Sequence, residues 1–163
     1  MGIFFPKDLG DAMAGRVRFL DESHSVIFTD KGIQFFSTRV ETSPELVSQI
    51  PIEENIRSIT YAQDKVGIVT DNVEGGDPYK LRIYDREGSP VFEKTFNYQY
   101  TGFDIDGDLV LLYNDSSCKV YNMTGTEKYN GTFDFTVSKV SAGRFPGTLL
   151  VMGPQKMTEI KLQ

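Results

Sequence analysis

The sequence holds a single cysteine, Cys118, a single histidine, His24, and no tryptophan. One cysteine cannot close an intrachain disulfide, and one thiol with one imidazole cannot supply the converging nitrogen and sulfur ligands of a zinc centre. Long apolar runs are missing too: nowhere are there the roughly 18 uninterrupted apolar residues that a membrane-spanning helix needs. The start, Met1-Gly2-Ile3-Phe4-Phe5-Pro6, lacks a basic region, and its apolar stretch is too short for a signal peptide. The segment is therefore expected not to insert into a membrane itself, and its abrupt apolar start reads like the edge of a longer protein. Positive charge is scarce as well, with 17 Lys and Arg against 23 Asp and Glu and a formal net charge of -6. No basic run offsets that balance. An electrostatic grip on nucleic acid or anionic lipid needs clustered positive charge, so neither is an expected partner.

Sustained 3.6-residue periodicity is also absent. In its place, short β-branched and aromatic runs recur between Gly, Asp and Asn clusters, the pattern of many short strands, and 163 residues with 39% hydrophobic content can bury one sizeable core. The expected class is all-β. A short helix after Ser43-Pro44 is the one competing local reading, because Ser can cap a helix whose first residue is Pro, but Pro51 would end it within about two turns.

The runs repeat. Ile33-Gln34-Phe35-Phe36-Ser37, Leu81-Arg82-Ile83-Tyr84-Asp85, Cys118-Lys119-Val120-Tyr121-Asn122 and Thr158-Glu159-Ile160-Lys161-Leu162 align at intervals of roughly 40 residues, the size of a propeller blade. In this alignment Phe36, Tyr84, Tyr121 and Lys161 share one position. A more continuous apolar run lies upstream of each: Val26–Phe28, Val66–Val69, Leu109–Tyr113 and Leu149–Met152. A strand apolar on both faces must be covered on both, which is expected of an inner strand packed between neighbouring blades. A further candidate precedes each of these, at Val17–Leu20, Ile56–Tyr61, Phe103–Ile105 and Val137–Val140. A fourth strand follows in three units, at Leu46–Ile50, Val91–Phe96 and Tyr129–Phe133, but not in the last.

Its entry turn is the sharpest repeated motif. Tyr84-Asp85-Arg86-Glu87-Gly88 and Tyr121-Asn122-Met123-Thr124-Gly125 both place Asp or Asn first and Gly three residues on, which suits a turn whose Asx side chain bonds the backbone while Gly accepts positive φ. The expectation is an all-β, β-propeller-like array of about four four-stranded antiparallel blades, the last lacking its outer strand. The units cover residues 16–52, 55–97, 100–135 and 137–163 of one domain, 1–163, in a longer protein. Residues 1–15 are a candidate edge strand, with Ile3-Phe4-Phe5 available to complete the last blade. Open blade edges would otherwise call for a partner or a second copy.

On Val17-Arg18-Phe19-Leu20, Ile56-Arg57-Ser58-Ile59, Leu111-Leu112-Tyr113-Asn114 and the stretch from Tyr121 to Phe133, the chain resembles the C-terminal half of a family of uncharacterised, membrane-anchored bacterial propeller-like proteins, domain of unknown function 5711. The resemblance implies a WD40-like repeat region on the extracytoplasmic side of the cell membrane. It supplies no activity and no functional residues.

Chemistry-bearing constellations are few. Asp104-Ile105-Asp106-Gly107-Asp108 alternates carboxylates near a turn, as calcium loops do, but the sixth and twelfth positions are Leu109 and Asp115 where an EF-hand needs Gly and Glu. The simpler reading points Phe103 and Ile105 inward and leaves Asp104 and Asp106 to water. Ser23-His24 suggests a nucleophile and base, yet neighbours in a turn rarely meet in triad geometry, so Asp21-Glu22-Ser23-His24 reads as an exposed turn. Cys118 aligns with Ile33 and Leu81 as a small core hydrophobe. Glu41, Glu53 and Glu54 are the candidate acids of a glycosidase. The acidic segment Asp71–Tyr79 exceeds what a hairpin needs, Tyr98 and Tyr100 could offer a platform to a sugar or peptide, and three glycosylation sequons begin at Asn114, Asn122 and Asn130. No catalytic residue, cofactor-binding residue or metal ligand is assigned. The expected function is non-enzymatic binding of a protein or ligand. The alternatives are an extracytoplasmic hydrolase acting on glycans and a structural assembly module.

Overall fold

Turn-forming Gly, Asp and Asn cut the apolar sequence into pieces too short for anything but strands, and the computed structural model, which describes residues 14–38, 43–62 and 64–162, forms fifteen of them. The first sheet is β1 (Ala14–Phe19), β2 (His24–Thr29), β3 (Gly32–Ser37) and β4 (Glu45–Pro51). The second is β5 (Ile56–Ala62), β6 (Lys65–Asp71), β7 (Tyr79–Asp85) and β8 (Pro90–Phe96). The third is β9 (Gly102–Asp106), β10 (Leu109–Tyr113), β11 (Ser117–Asn122) and β12 (Glu127–Thr132), and the fourth is β13 (Lys139–Ala142), β14 (Thr148–Met152) and β15 (Met157–Lys161). All pairings are antiparallel and strand order follows chain order, so each sheet is a meander. After Ser43-Pro44 the chain enters β4, not a helix, and Pro51 occupies the strand's end. The Ile3-Phe4-Phe5 segment lies outside the described residues.

Because alternate residues of a strand point to opposite faces, a sheet inside the array has two apolar faces, and the second and third sheets cover both with their neighbours. Val26, Phe28, Ile33 and Phe35 of the first sheet pack on Val66, Ile68 and Tyr84 of the second. The opposite face of the second, with Val69, Leu81 and Ile83, packs on Ile105, Val110, Leu112 and Tyr121 of the third. Leu109, Leu111, Cys118 and Val120 on the third sheet's far face then meet Val140, Leu149 and Val151 of the fourth. At about 1.5–3 kcal/mol for each large apolar side chain fully buried, these three seams hold the sheets together as consecutive propeller blades.

The apolar runs are the second strand of each blade and not the innermost one. The axial position belongs to the first strands: β5 lies against β9, and β13 against β9 and β10. Double-faced burial arises in β6 and β10 because strands lie on both sides and blades on both faces; in β14, with a described blade on one face only, buried Leu149 and Val151 alternate with half-buried Leu150 and Met152.

The repeated entry turns form as their sequence dictates. Asp85 Oδ1 accepts the backbone N–H groups of Glu87 and Ser89, each at 2.9 Å, and Asn122 Oδ1 accepts those of Thr124 and Thr126 at 3.1 and 2.9 Å. Gly88 and Gly125 both sit at φ 84°, where an L side chain is strained.

One register differs from the sequence alignment. Val66 faces Tyr84, Val110 faces Tyr121, and Leu149 faces Ile160. The structural counterpart of Tyr84 and Tyr121 is therefore Ile160, not Lys161. A one-residue slip exchanges the two faces of a strand, so Glu159 and Lys161 lie on the blade's outer face while Ile160 joins the seam with the third blade.

Candidate interaction surface

The connections of a blade array sort to two ends. One end carries the linkers between blades together with the connections from second to third strands, and hydrogen bonds tie these to one another. Ile52 donates its N–H to Lys31 O, Asp71 N–H to Asn55 O, Phe133 N–H to Ser116 O and Val137 N–H to Asp115 O, and Asn114 Nδ2 donates to Gln99 O. The opposite end carries the remaining hairpin turns, including Asp21–His24 and Asp85–Gly88.

At the linker end most second-to-third connections are minimal: Asp30 and Lys31 alone join β2 to β3. The β6–β7 connection, Asn72–Pro78, is the exception. It is built about one side chain. Asn72 Nδ2 donates to Gly75 O at 3.1 Å and to Asp77 O at 2.8 Å, and its backbone N–H bonds Pro78 O. Gly75 and Gly76, at φ 90° and 83°, supply the reversal. The acids of the loop are anchored as well: Asp77 Oδ2 accepts Thr95 Oγ1 at 3.0 Å, and Glu74 lies 3.6 Å from Lys80 Nζ. These bonds give the loop a defined shape and hold its apolar residue outward: Val73 is 74% exposed. Beside the loop base, Arg57 Nε donates to Asp71 at 2.6 Å.

Beneath this surface lies a buried ionic layer on β7. Lys80 and Arg82 alternate with Leu81 and Ile83 but are themselves buried. Arg82 reaches Glu54 of the first interblade linker at 2.8 Å, and Lys80 reaches Glu93 at 2.8 Å. Burial alone would raise the Glu54 carboxyl, but its own backbone N–H and the Arg82 charge outweigh that and hold it below its ordinary value. Burial would likewise lower the Arg82 guanidinium, and Glu54 with Tyr84 reverses the direction. The pair clamps the linker between the first two blades onto the second.

The acids proposed as a glycosidase pair do not meet. Glu54 is committed to Arg82, Glu53 is exposed, and Glu41 lies outside the described residues. Tyr98 and Tyr100 are not a free platform either. Tyr98 Oη shares a hydrogen bond with Ser117 Oγ and Tyr100 Oη with Ser58 Oγ, both at 2.7 Å, and their rings pack against the seam between the second and third blades. Burial raises both phenols.

Asp104 and Asp106 do not simply face water. Thr60 Oγ1 donates to Asp104 at 3.3 Å, and the Ala142 N–H donates to Asp106 Oδ2 at 2.8 Å, so one acid bonds to the blade before and the other to the blade after. No group of three His, Cys, Asp or Glu side chains is arranged to hold a metal among the described residues.

The Ser23-His24 turn is tighter than an exposed one. Asp21 Oδ1 accepts the Ser23 N–H at 2.8 Å, both Asp21 oxygens approach His24 Nδ1 at 2.9 and 3.0 Å, and Arg86 of the next blade reaches Asp21 Oδ2 at 2.9 Å. Partial burial would raise the Asp21 carboxyl, but the Ser23 N–H, His24 and Arg86 hold it well below the usual carboxylate range. Ser23 Oγ approaches the same ring nitrogen, Nδ1, at 3.1 Å. In a catalytic triad the acid and the nucleophile bond opposite ring nitrogens; here they share one, and the cluster serves as a latch between two blades. Cys118 is fully buried in the third seam, where desolvation pushes its thiol up to about 12.

The sequence signal for the surface was the length and acidity of 71–79. The Lys80–Arg82 layer was not signalled, since β7 alternates as a half-exposed strand does. No described helix is long and apolar enough to cross a membrane.

Solved structures place the fold. The chain aligns with a crystal structure of the eukaryotic initiation factor at TM-score 0.64 and 12% identity, covering 95% of this chain and 42% of that one. It aligns with Hsv2 of Kluyveromyces marxianus at 0.57 and 13%, covering 93% and 48%, and with BBS1N in complex with ARL6DN at 0.52 and 12%, covering 93% and 52%. These are β-propeller folds, and the chain spans about half the length of each. No curated protein matches the sequence. The model of one family covers almost every residue, 3–162, and the chain belongs to that family, the family of unknown function DUF5711.

Proposed function

We propose that this chain is a non-enzymatic protein-binding propeller domain, and that its partner is engaged at the linker end around the Asn72–Pro78 loop. The observation that carries the reading is an ordered loop, longer than its hairpin requires, that spends side-chain hydrogen bonds to hold an apolar residue in solvent. Val73 is an exposed apolar anchor with Asp71, Glu74 and Asp77 near it along the loop, a composition that suits a hot spot with a charged rim. The rim's charge fits a partner with a basic surface, whose encounter it would steer. BBS1N, similar in fold, was solved in complex with ARL6DN, which shows a propeller of this kind holding another protein. Against a hydrolase stand the commitment of Glu54 to Arg82 and of the tyrosine hydroxyls to serines. Attachment to a membrane-anchored, extracytoplasmic parent belongs to the same proposal and rests on the family resemblance.

The test is site-specific photocrosslinking in cells, from position 73 and, as a control, from Asp108 at the opposite end. The expected result is one protein captured from position 73, in an amount that salt reduces and the second substitution Asp77→Lys abolishes. Equal capture from both positions, or none from position 73, would overturn the assignment.

A further inference from the structure

The fourth blade ends in a strand, β15, one side of which pairs with no described residue. The bonds from Leu162 N to Gly147 O and from Gly153 N to Lys156 O, each 2.7 Å, bracket β15 against β14. They make Thr148–Lys161 and Met152–Met157 the non-bonded pairs of that ladder. The backbone N–H and C=O groups of Met157, Glu159 and Lys161 therefore point away from β14. Among the described residues nothing pairs with them, whereas β3, β7 and β11 each have β4, β8 or β12 in that position. The edge is also recessed by one strand, about 4.8 Å, relative to the four-stranded neighbours.

We propose that this notch is filled by β15 of a second copy, in an antiparallel pairing whose two-fold axis passes between the two Ile160 residues. The sequence of the strand is complementary to itself in that register alone. Ile160 lies opposite Ile160 of the second copy, Thr158 opposite Leu162, and Glu159 opposite Lys161, twice over. Parity agrees: Glu159 and Lys161 are the residues with outward-facing backbone groups, so the oppositely charged pairs are also the hydrogen-bonded ones. The central Ile160 pair falls on the closer, non-bonded position. Centring the axis on Glu159 would set two carboxylates against each other, and centring it on Lys161 two ammonium groups, both unfavourable. The blade's outer face sets Lys139, Glu159 and Lys161 beside Leu150, Met152 and Met157, so the charges that pair across the edge lie on the face away from the third blade. The result is one six-stranded sheet shared by two arrays, with the Val73 surface of each left open. The interface does not depend on the loop reading.

Sedimentation equilibrium on the full chain tests it. The expected behaviour is a reversible monomer–dimer equilibrium, with Lys161→Glu or Glu159→Lys each weakening association by about tenfold or more and the double exchange restoring it. Glu159→Pro removes an outward N–H without touching the β14 ladder and abolishes the dimer, while circular dichroism and melting of the dilute protein show the monomer intact. Ile160→Cys forms a disulfide-linked dimer on mild oxidation. A monomer at every concentration overturns the proposal, as does a dimer indifferent to the charge reversals or to Glu159→Pro.

Discussion

Removing the Glu54 carboxylate takes the charge partner from a buried cation, and the cost follows from the geometry. Arg82 is 9% exposed, bonds Glu54 at 2.8 Å, and has no partner for its Nε. Breaking a fully buried ion pair by deleting one partner costs about 3–5 kcal/mol. Both side chains retain some contact with water, 11% for Arg82 and 19% for Glu54, so Glu54→Ala is expected to cost about 2–3 kcal/mol. In a domain of this size that lowers Tm by roughly 5–10 °C. Arg82→Met keeps the apolar stem and leaves the more accessible carboxylate behind, for a smaller loss of about 1 kcal/mol. The double variant should be less destabilised than the two losses combined, with a coupling of at least about 1 kcal/mol. Urea unfolding followed by circular dichroism reads all four proteins, there being no tryptophan to report by fluorescence. If Glu54→Ala lies within about 0.5 kcal/mol of the parent, or if the two single losses add, then Arg82 is solvated and the linker clamp does not exist.

Three further outcomes follow from the same geometry. Gly88 and Gly125 share φ 84°, but a Cβ at Gly88 would meet Phe35 and Ser48 at 2.7 Å while one at Gly125 meets nothing nearer than Phe92 at 3.9 Å; Gly125→Ala should cost about 1 kcal/mol in urea unfolding and Gly88→Ala at least about twice that. Asp21 and Glu54 are both held below their ordinary values of 3.8 and 4.5, so the stability they contribute is complete above those values and is lost as pH falls through the folded ones. Unfolding free energy should therefore decline on acidification below 4.5, and Asp21→Asn should flatten the decline. Finally, Cys118 should resist a thiol reagent in the native protein and react fully in denaturant, because its thiol is buried and raised to about 12; rapid native labelling would show that the third seam opens.

What could be read from the sequence was whatever a blade imposes locally. The apolar runs, the Asx-x-x-Gly turns and the roughly 40-residue interval appear in the chain itself, because second strands between two blades are covered on every side and a tight turn admits few residues. The inward place of Cys118 beside Ile33 and Leu81 was legible for the same reason. The fourth repeat is one residue out of register in the sequence alignment because Thr158–Leu162 offers no ring to fix its phase. Only pairing to Leu149 decides that Ile160 is the inward residue.

The polar residues were harder to read, for a reason that bears on the surface as a whole. Lys80 and Arg82 alternate with apolar residues as solvent-facing side chains do, yet they are buried because Glu93 and Glu54 arrive from another strand and another linker. Asp104 and Asp106 bond to the blades on either side, and Tyr98 and Tyr100 spend their hydroxyls on serines from elsewhere in the chain. In each case the neighbour that decides the role is 13 or more residues away, where no local pattern can register it. Val73 is the converse: a residue that composition alone would send inward is held outward by an asparagine one position before it. The side chains that depart from their local pattern are thus the ones that join blades or stand ready for a partner. Contact-deciding substitutions should concentrate at those positions, and not at the apolar repeats that made the fold recognisable.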